Sequence, residues 1–387
     1  MTRATGRDPA PRDKQVTFVI RSLHIGGAER QLVELASGLQ RGGWRVAVLA
    51  FYPGGALRPE LEQRGILVQD LRKRGRWDVV PFAIRLVRRL RDLDAPVVHG
   101  YLGEANMMIA ALKPLLRGSR VVWGIRSSNL DAARHDWLSS VMSRVNRALA
   151  GRADLIICNS VAGKRSFAAL GYPGDRMVVV PNGIDAVRFA PNAAMRTAIR
   201  GEWSIGEDEL LIGLVGRLDP IKGHATFLRA VASLGQPSHV RLVCVGTGPA
   251  EYRAEMQALA AELGLSERVF WSGPRTDMPA VYNGLDLLVS ASAGEGFPNA
   301  VAEAMASGIS CVVTDVGDSA TLVGTTGWVC PPADAQALSS SIALAFASLE
   351  VLRSRGREAR QRILDDFDTD RLTTVTADLL ESVAARS

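Results

Sequence analysis

The chain has 387 residues, 47% of them hydrophobic and 22% charged, and a net charge of +6. That length accommodates two domains, each able to bury its own core, and the composition is that of an ordinary globular protein. No run of about 18 apolar residues is present, which excludes a membrane-spanning helix, and Cys158, Cys244, Cys311 and Cys330 lie too far apart in sequence to suggest a disulfide framework or a zinc site.

Charge is split along the chain. Residues 1–190 carry 30 Lys and Arg against 16 Asp and Glu, a net +14, whereas the remainder is net −8. A basic half joined to an acidic half implies that one of them meets an anion.

In chain order, residues 1–15 are polar and rich in Pro and Arg and read as a disordered tail. The apolar run that follows is too short for a signal-peptide core, so a cytoplasmic protein is expected. Strand-like runs then alternate with helical patterns: Val16–Ile20, Arg45–Ala50, Val97–His99, Val121–Ile125 and Leu155–Cys158, with helices over Glu29–Arg41 and Val80–Leu93. The alternation restarts with Leu211–Val215, Arg241–Val245, Val269–Trp271, Leu285–Ser290 and Ser310–Thr314, with helices over His224–Leu234, Ala250–Leu263 and Ala335–Leu349. This is the pattern of βαβ units around parallel sheets, repeated in two α/β, doubly wound, Rossmann-like domains, 16–187 and 188–367. An amphipathic helix closes the chain within 368–387. Ligands of such sheets bind outside the carboxyl ends of the strands, so a cleft between two facing sheets is the expected site.

Three loops carry the chemistry. After the first strand, Gly26 and Gly27 open a helix, where backbone N–H groups can approach a phosphate closely; a plain strand-to-helix turn would look the same. After Leu211–Val215 comes Gly216-Arg217-Leu218-Asp219-Pro220-Ile221-Lys222-Gly223. Its guanidinium and ammonium suit a diphosphate, and its glycines and proline fix the loop's shape. Glu295 and Glu303 bracket the run Gly296–Ala302 and open a short helix, one before its start and one inside it, with Pro298 expected at its first position and Gly308 just past its end. The N–H groups of Gly296 to Asn299 then lie at a positive helix terminus, although acids there also simply complement the dipole. Neither the Gly26-Gly27 loop nor Gly246-Thr247-Gly248-Pro249 completes G-x-G-x-x-G, which argues against a nicotinamide dinucleotide site.

Gly-Gly-Ala-Glu-Arg at 26–30, Val-Pro-Asn-Gly-Ile-Asp at 180–185, Val-Gly-Arg-Leu at 215–218, Pro-Xaa-Lys-Gly at 220–223 and Glu-Gly-Phe-Pro-Asn at 295–299 together resemble the retaining nucleotide-sugar glycosyltransferases of the GT-B architecture, family 4. The resemblance runs from about residue 15 to the C-terminus. It implies that Arg217 and Lys222 neutralise the departing donor diphosphate, that Glu303 holds the ribose and that Glu295 holds the transferred sugar. It also implies that the backbone around Gly296, Phe297, Pro298, Asn299 and Ala300 meets sugar and phosphate. Gly26 and Gly27 would close on the phosphate, Gly273, Pro274 and Arg275 would lie beside the base, and the C-terminal helix would pack back on the first domain. No metal or other cofactor is implied, because the cations and the helix terminus stabilise the leaving group.

One position departs from the pattern. Where many relatives place a histidine after Val121–Ile125, this chain has Arg126, which cannot act as a base and suits an anionic acceptor group or the donor phosphate. His99 and Tyr101, ending the preceding strand, are candidates for the acceptor side, and a buried structural histidine is an equal reading of His99. Asp92-Leu93-Asp94 and Asp368-Thr369-Asp370 match the D-x-D of metal-dependent sugar transferases but sit at helix ends, where such acids cap.

The expected activity is transfer of a hexosyl unit from a nucleotide-diphosphate sugar to a lipid-linked or cell-envelope glycan. Ile84, Val87 and Leu90, with arginines between them, make a basic amphipathic helix suited to an anionic membrane surface, equally readable as a domain helix with a solvated face. No aromatic-studded or zinc motif supports a nucleic-acid partner. The rival readings are a nicotinamide-dependent oxidoreductase and a non-catalytic nucleotide-sugar-binding protein.

Overall fold

The computed structural model describes residues 14–75, 77–126, 137–234 and 239–386, apart from the side chains of 137–143. Two compact units contain them: one of residues up to Gly183 plus Thr369 onward, the other Ile184–Asp368.

The first unit is built on seven parallel strands: β1 (Gln15–Ile20), β2 (Arg45–Ala50), β3 (Leu67–Asp70), β4 (Val97–Tyr101), β5 (Arg120–Ile125), β6 (Leu155–Cys158) and β7 (Met177–Val179), in the order β3-β2-β1-β4-β5-β6-β7. The strand order reverses between β1 and β4, so the loops leaving these strands diverge and open a crevice at their carboxyl ends. Both faces are covered, which is why the strands read as continuous apolar runs. One layer sets Phe18, Ile20 and Val48 against Leu32, Leu35 and Leu39 of the helix Gly27–Arg41; the other sets Val19, Leu49 and Val98 against Phe82 and Leu86.

The C-terminal helix Thr369–Ala384 belongs to this unit, burying Leu372, Leu380 and Val383 in the layer of the helix Gly27–Arg41. Gly183, where the chain leaves the unit, is clipped in place: Gln31 Nε2 donates to its carbonyl at 2.8 Å and its amide donates to Gln31 Oε1 at 3.1 Å. A Cβ on Gly183 would meet Leu372 Cβ and Thr369 Cα at 2.8 Å. The chain thus changes unit a few residues before the boundary expected from sequence.

The second unit has six parallel strands: β8 (Leu210–Val215), β9 (Val240–Val245), β10 (Val269–Gly273), β11 (Leu287–Ser290), β12 (Ser310–Thr314) and β13 (Trp328–Cys330), in the order β10-β9-β8-β11-β12-β13. Here the order reverses between β8 and β11. The strands β3, β7 and β13 were not expected; each has four residues or fewer and lies at a sheet edge. Nor does the helix from Ala335 reach Leu349. It ends at Phe346, and Ser348 caps a new helix, Leu349–Asp366, by accepting from the Val351 amide.

The basic helix Val80–Leu93 lies where expected, but its apolar stripe does not face solvent. Val87 and Leu90 are buried with Phe82 and Leu86, and only Ile84 is half-exposed. No single described helix is long and apolar enough to cross a membrane. All four cysteines are buried and free.

Candidate functional site

In the second unit the loops leaving β8 and β11 flank the switch point, and these are the two loops that the sequence singled out. Gly223 has φ +71°, and a Cβ there would lie 1.9 Å from the Ala291 carbonyl oxygen, so only glycine lets the Lys222 loop press against the end of β11. The Ala293 amide donates to the Ile221 carbonyl at 2.7 Å and locks the two loops together. Asp219 caps the turn by accepting from the Ile221 amide at 3.0 Å.

Lys222 Nζ consequently meets Glu295 Oε1 at 2.5 Å, and Ser292 Oγ donates to the same oxygen at 2.7 Å. Glu295 is nearly buried, so this is a charge-assisted contact in a poorly solvated place. The small cavity at this point, about 40 Å³, is lined by Lys222, Ser292, Glu295, Pro298, Asn299 and Ala300 among others. Arg217 does not join the group. Its side chain is 73% exposed and leans on Asp219 at 3.5 Å.

The short helix spans Asn299–Ala306, with Gly308 (φ +78°) just past its end. Pro298 is the residue before it rather than its first position; its carbonyl accepts from the Val301 and Ala302 amides. The Phe297 side chain is core, packed 5.7 Å from the Phe367 ring. Gly296 is held from behind: its carbonyl accepts from the Asp318 amide, and a Cβ on Gly317 would meet the Glu295 and Gly296 carbonyls.

Two residues that the sequence reading missed support these groups. The buried Tyr282 hydroxyl donates to Glu303 Oε2 at 2.7 Å; burial, and then the Glu303 charge, push its pKa well above the ordinary value. His224, first in the helix His224–Ala232, is buried with its pKa lowered to about 4 by burial and then by the Lys222 charge. It is a neutral neighbour of the ammonium. Neither residue sits in a recognisable motif, although His224 follows Gly223 directly.

Gly273 ends β10 with φ +71°, its carbonyl accepting from Gly246, and Pro274 follows. The Arg275 guanidinium is engaged by Glu202 at 2.5 Å and by Asp277 at 2.6 Å, which raises its pKa further. That side chain is thus engaged within the protein. Gly246 and Gly248 serve packing: a Cβ on either would lie within 2.0 Å of the Gly216 or Leu218 carbonyl oxygen.

In the first unit, Gly26 is extended and precedes the helix Gly27–Arg41. A Cβ on it would meet Glu29 Oε2 at 2.2 Å, so the Glu29 carboxylate lies over the helix start where a phosphate was expected. Burial raises the pKa of Glu29. His99 and Tyr101 are fully buried against Phe18, and His99 is held neutral, well below its ordinary pKa, by burial and then by Arg126. Arg126 lies with its guanidinium 4.3 Å from the Tyr101 ring centroid and donates to Asn182 Oδ1 at 3.2 Å. Among the described residues no three His, Cys, Asp or Glu side chains are grouped to hold a metal ion.

Two parallel-sheet Rossmann-like units, of seven and six strands, place the chain in the GT-B class of glycosyltransferases. Family models described as Glycosyltransferase Family 4 and Glycosyl transferases group 1 match residues 25–188 and 209–347, and the chain belongs to this family. The lipopolysaccharide core biosynthesis mannosyltransferase LpcC of Rhizobium leguminosarum bv. viciae is 32% identical over 288 residues, covering 69% of this chain and 79% of that protein. The D-inositol 3-phosphate glycosyltransferase of Nocardia farcinica is 34% identical over 192 residues, 47% of this chain and 42% of that protein, so the match spans less than half of that relative's length. Among solved structures, Anabaena HepE in complex with UDP-glucose has the same fold, with a TM-score of 0.85 and 24% identity over 95% of this chain and 99% of that one.

Proposed function

We propose that the chain transfers a hexosyl unit from a nucleotide-diphosphate sugar to a lipid-linked or cell-envelope glycan, with retention and without a metal. The observation that carries this reading is the Lys222–Glu295 pair fixed at the switch point beside the start of the helix Asn299–Ala306. A cation, a carboxylate and a positive helix terminus converge where a sugar diphosphate would need them.

In the reaction, an acceptor hydroxyl oxygen bonds to the anomeric carbon as the bond from that carbon to the diphosphate oxygen breaks. The bonding pair leaves with the diphosphate. Lys222, together with Arg217 swung in from solvent, neutralises the growing charge; each charge-assisted contact contributes about 1.5–3 kcal/mol. The departing phosphate oxygen accepts the acceptor's proton on the same face, which gives retention. Glu295 orients sugar hydroxyls and Glu303, held by Tyr282, orients the ribose. A mannosyltransferase relative and a UDP-glucose complex of the same fold support a hexosyl donor.

The test is transfer from a panel of UDP- and GDP-hexoses, following product stereochemistry by NMR, with and without EDTA. Activity abolished by the chelator, or an inverted product, would remove those parts of the reading; no stabilisation by any nucleotide or nucleotide-sugar would remove all of it.

A cytoplasmic enzyme resting on the inner membrane face fits the basic first unit. Its surface candidates are Trp77, Val80 and Ile84, all exposed, beside the arginines 72, 88 and 89. Flotation with anionic vesicles at low salt checks this, and no binding would reject it.

A further inference from the structure

In the first unit, register places Ile125 opposite Cys158, so Arg126 emerges from β5 beside the Asn159–Ser160 end of β6, next to the switch point of its sheet. Among the described residues neither Arg126 nor nearby Lys164 has a carboxylate partner. Three titratable groups near Arg126 are in their neutral forms: His99 and Tyr101 through burial, and the Cys158 thiol pushed up to about 11 by burial. Arg126 is nevertheless fixed, stacked on the Tyr101 ring and tied to Asn182, which is itself buried. A guanidinium immobilised in a partly buried place, with no carboxylate partner among the described residues, is preorganised for an oxyanion, since its planar fork matches phosphate and carboxylate.

We infer that Arg126 binds an oxyanion carried by the acceptor, a phosphate monoester or a carboxylate, so that the acceptor is an anionic sugar or sugar phosphate. This rests on the glycosyltransferase reading above. The donor's diphosphate already has Arg217 and Lys222 to meet it, which leaves Arg126 for the second substrate.

The experiment uses the full chain saturated with UDP and measures calorimetric binding of inositol 1-phosphate and glucuronate against inositol and glucose. The expected result is that the anionic probes bind at least about tenfold tighter than their neutral parents. Arg126→Gln, which keeps a polar contact for Asn182, removes that preference, and Arg126→Lys restores part of it. Comparing the phosphate with the carboxylate probe shows which oxyanion is favoured. Equal binding of charged and neutral probes to the wild type, a preference that survives Arg126→Gln, or probe binding that appears only when UDP is left out would each overturn the inference. Whether UDP alone stabilises the wild-type protein is read separately, so failure of the donor reading is distinguishable from failure of this one.

Discussion

The two switch points of this protein share a topology and differ in how their charges are settled. In the second unit, the cation Lys222 is already neutralised by Glu295, which Ser292 also holds, and Glu303 is held by Tyr282. In the first unit, Arg126 has no carboxylate partner among the described residues and lies beside the neutral His99 and Tyr101, while Glu29 at the glycine loop lies over its own helix start. The difference teaches that one doubly wound sheet can present a polar group that must be exchanged on binding, and another a group that simply waits for its partner. Exchange favours a ligand carrying both hydroxyls and phosphates, because both halves of the Lys222–Glu295 pair must be satisfied again. A waiting cation favours a simple anion.

The largest test of this contrast is Lys222→Ala. Transfer is expected to fall on the order of 10²–10³-fold, as when a preorganised group at a developing charge is removed. Wild-type kcat in that variant would refute the role of the second switch point.

Next comes pH. The folded pKa of His224, about 4, is depressed from 6.5, so the unfolded chain binds more protons between those values. Stability therefore falls as pH drops from about 6.5 toward 4, by up to about 1.4 kcal/mol per pH unit, and is flat outside that window with respect to this residue. Urea unfolding of the wild type and of His224→Gln across that range checks it; identical slopes would show that the buried imidazole contributes nothing.

Gly183→Ala is expected to cost about 1–3 kcal/mol, because the added methyl would press on the Thr369 backbone and on Leu372. An unchanged unfolding midpoint would mean that the contact yields freely. The smallest effect belongs to Tyr282→Phe. Loss of the hydroxyl leaves Glu303 without that donor and should weaken UDP binding by about 1 kcal/mol, read by titration calorimetry, with little change in stability.

Much of the second unit's site was legible from sequence because its residues sit in punctuated loops. The glycine at 223 is required by a positive φ and a backbone contact, and one glutamate precedes and the other lies within a helix marked by Pro298 and Gly308. Tyr282, His224 and Gln31 were not legible, since each stands alone in an ordinary helical stretch and acquires its role only from a partner brought by the fold. Gln31 reaches Gly183, 152 positions away. The helix Leu349–Asp366 escaped because it is highly polar and carries Gly356 in its middle. That glycine is there because a Cβ would lie 2.2 Å from the Gly308 carbonyl oxygen, a contact invisible to periodicity. The basic helix misled in the opposite direction: its apolar spacing was real, and the sheet had already claimed it.

Because Leu372, Leu380 and Val383 return from the far end of the chain to complete the first core, that half of the molecule is not a contiguous stretch of gene. Residues 1–183 expressed alone would show a bare apolar stripe along the helix Gly27–Arg41. A separable first half has to carry residues 369–387 with it, spliced on by a linker or supplied as a peptide, and ribosomal synthesis must pass Val383 before that core can close.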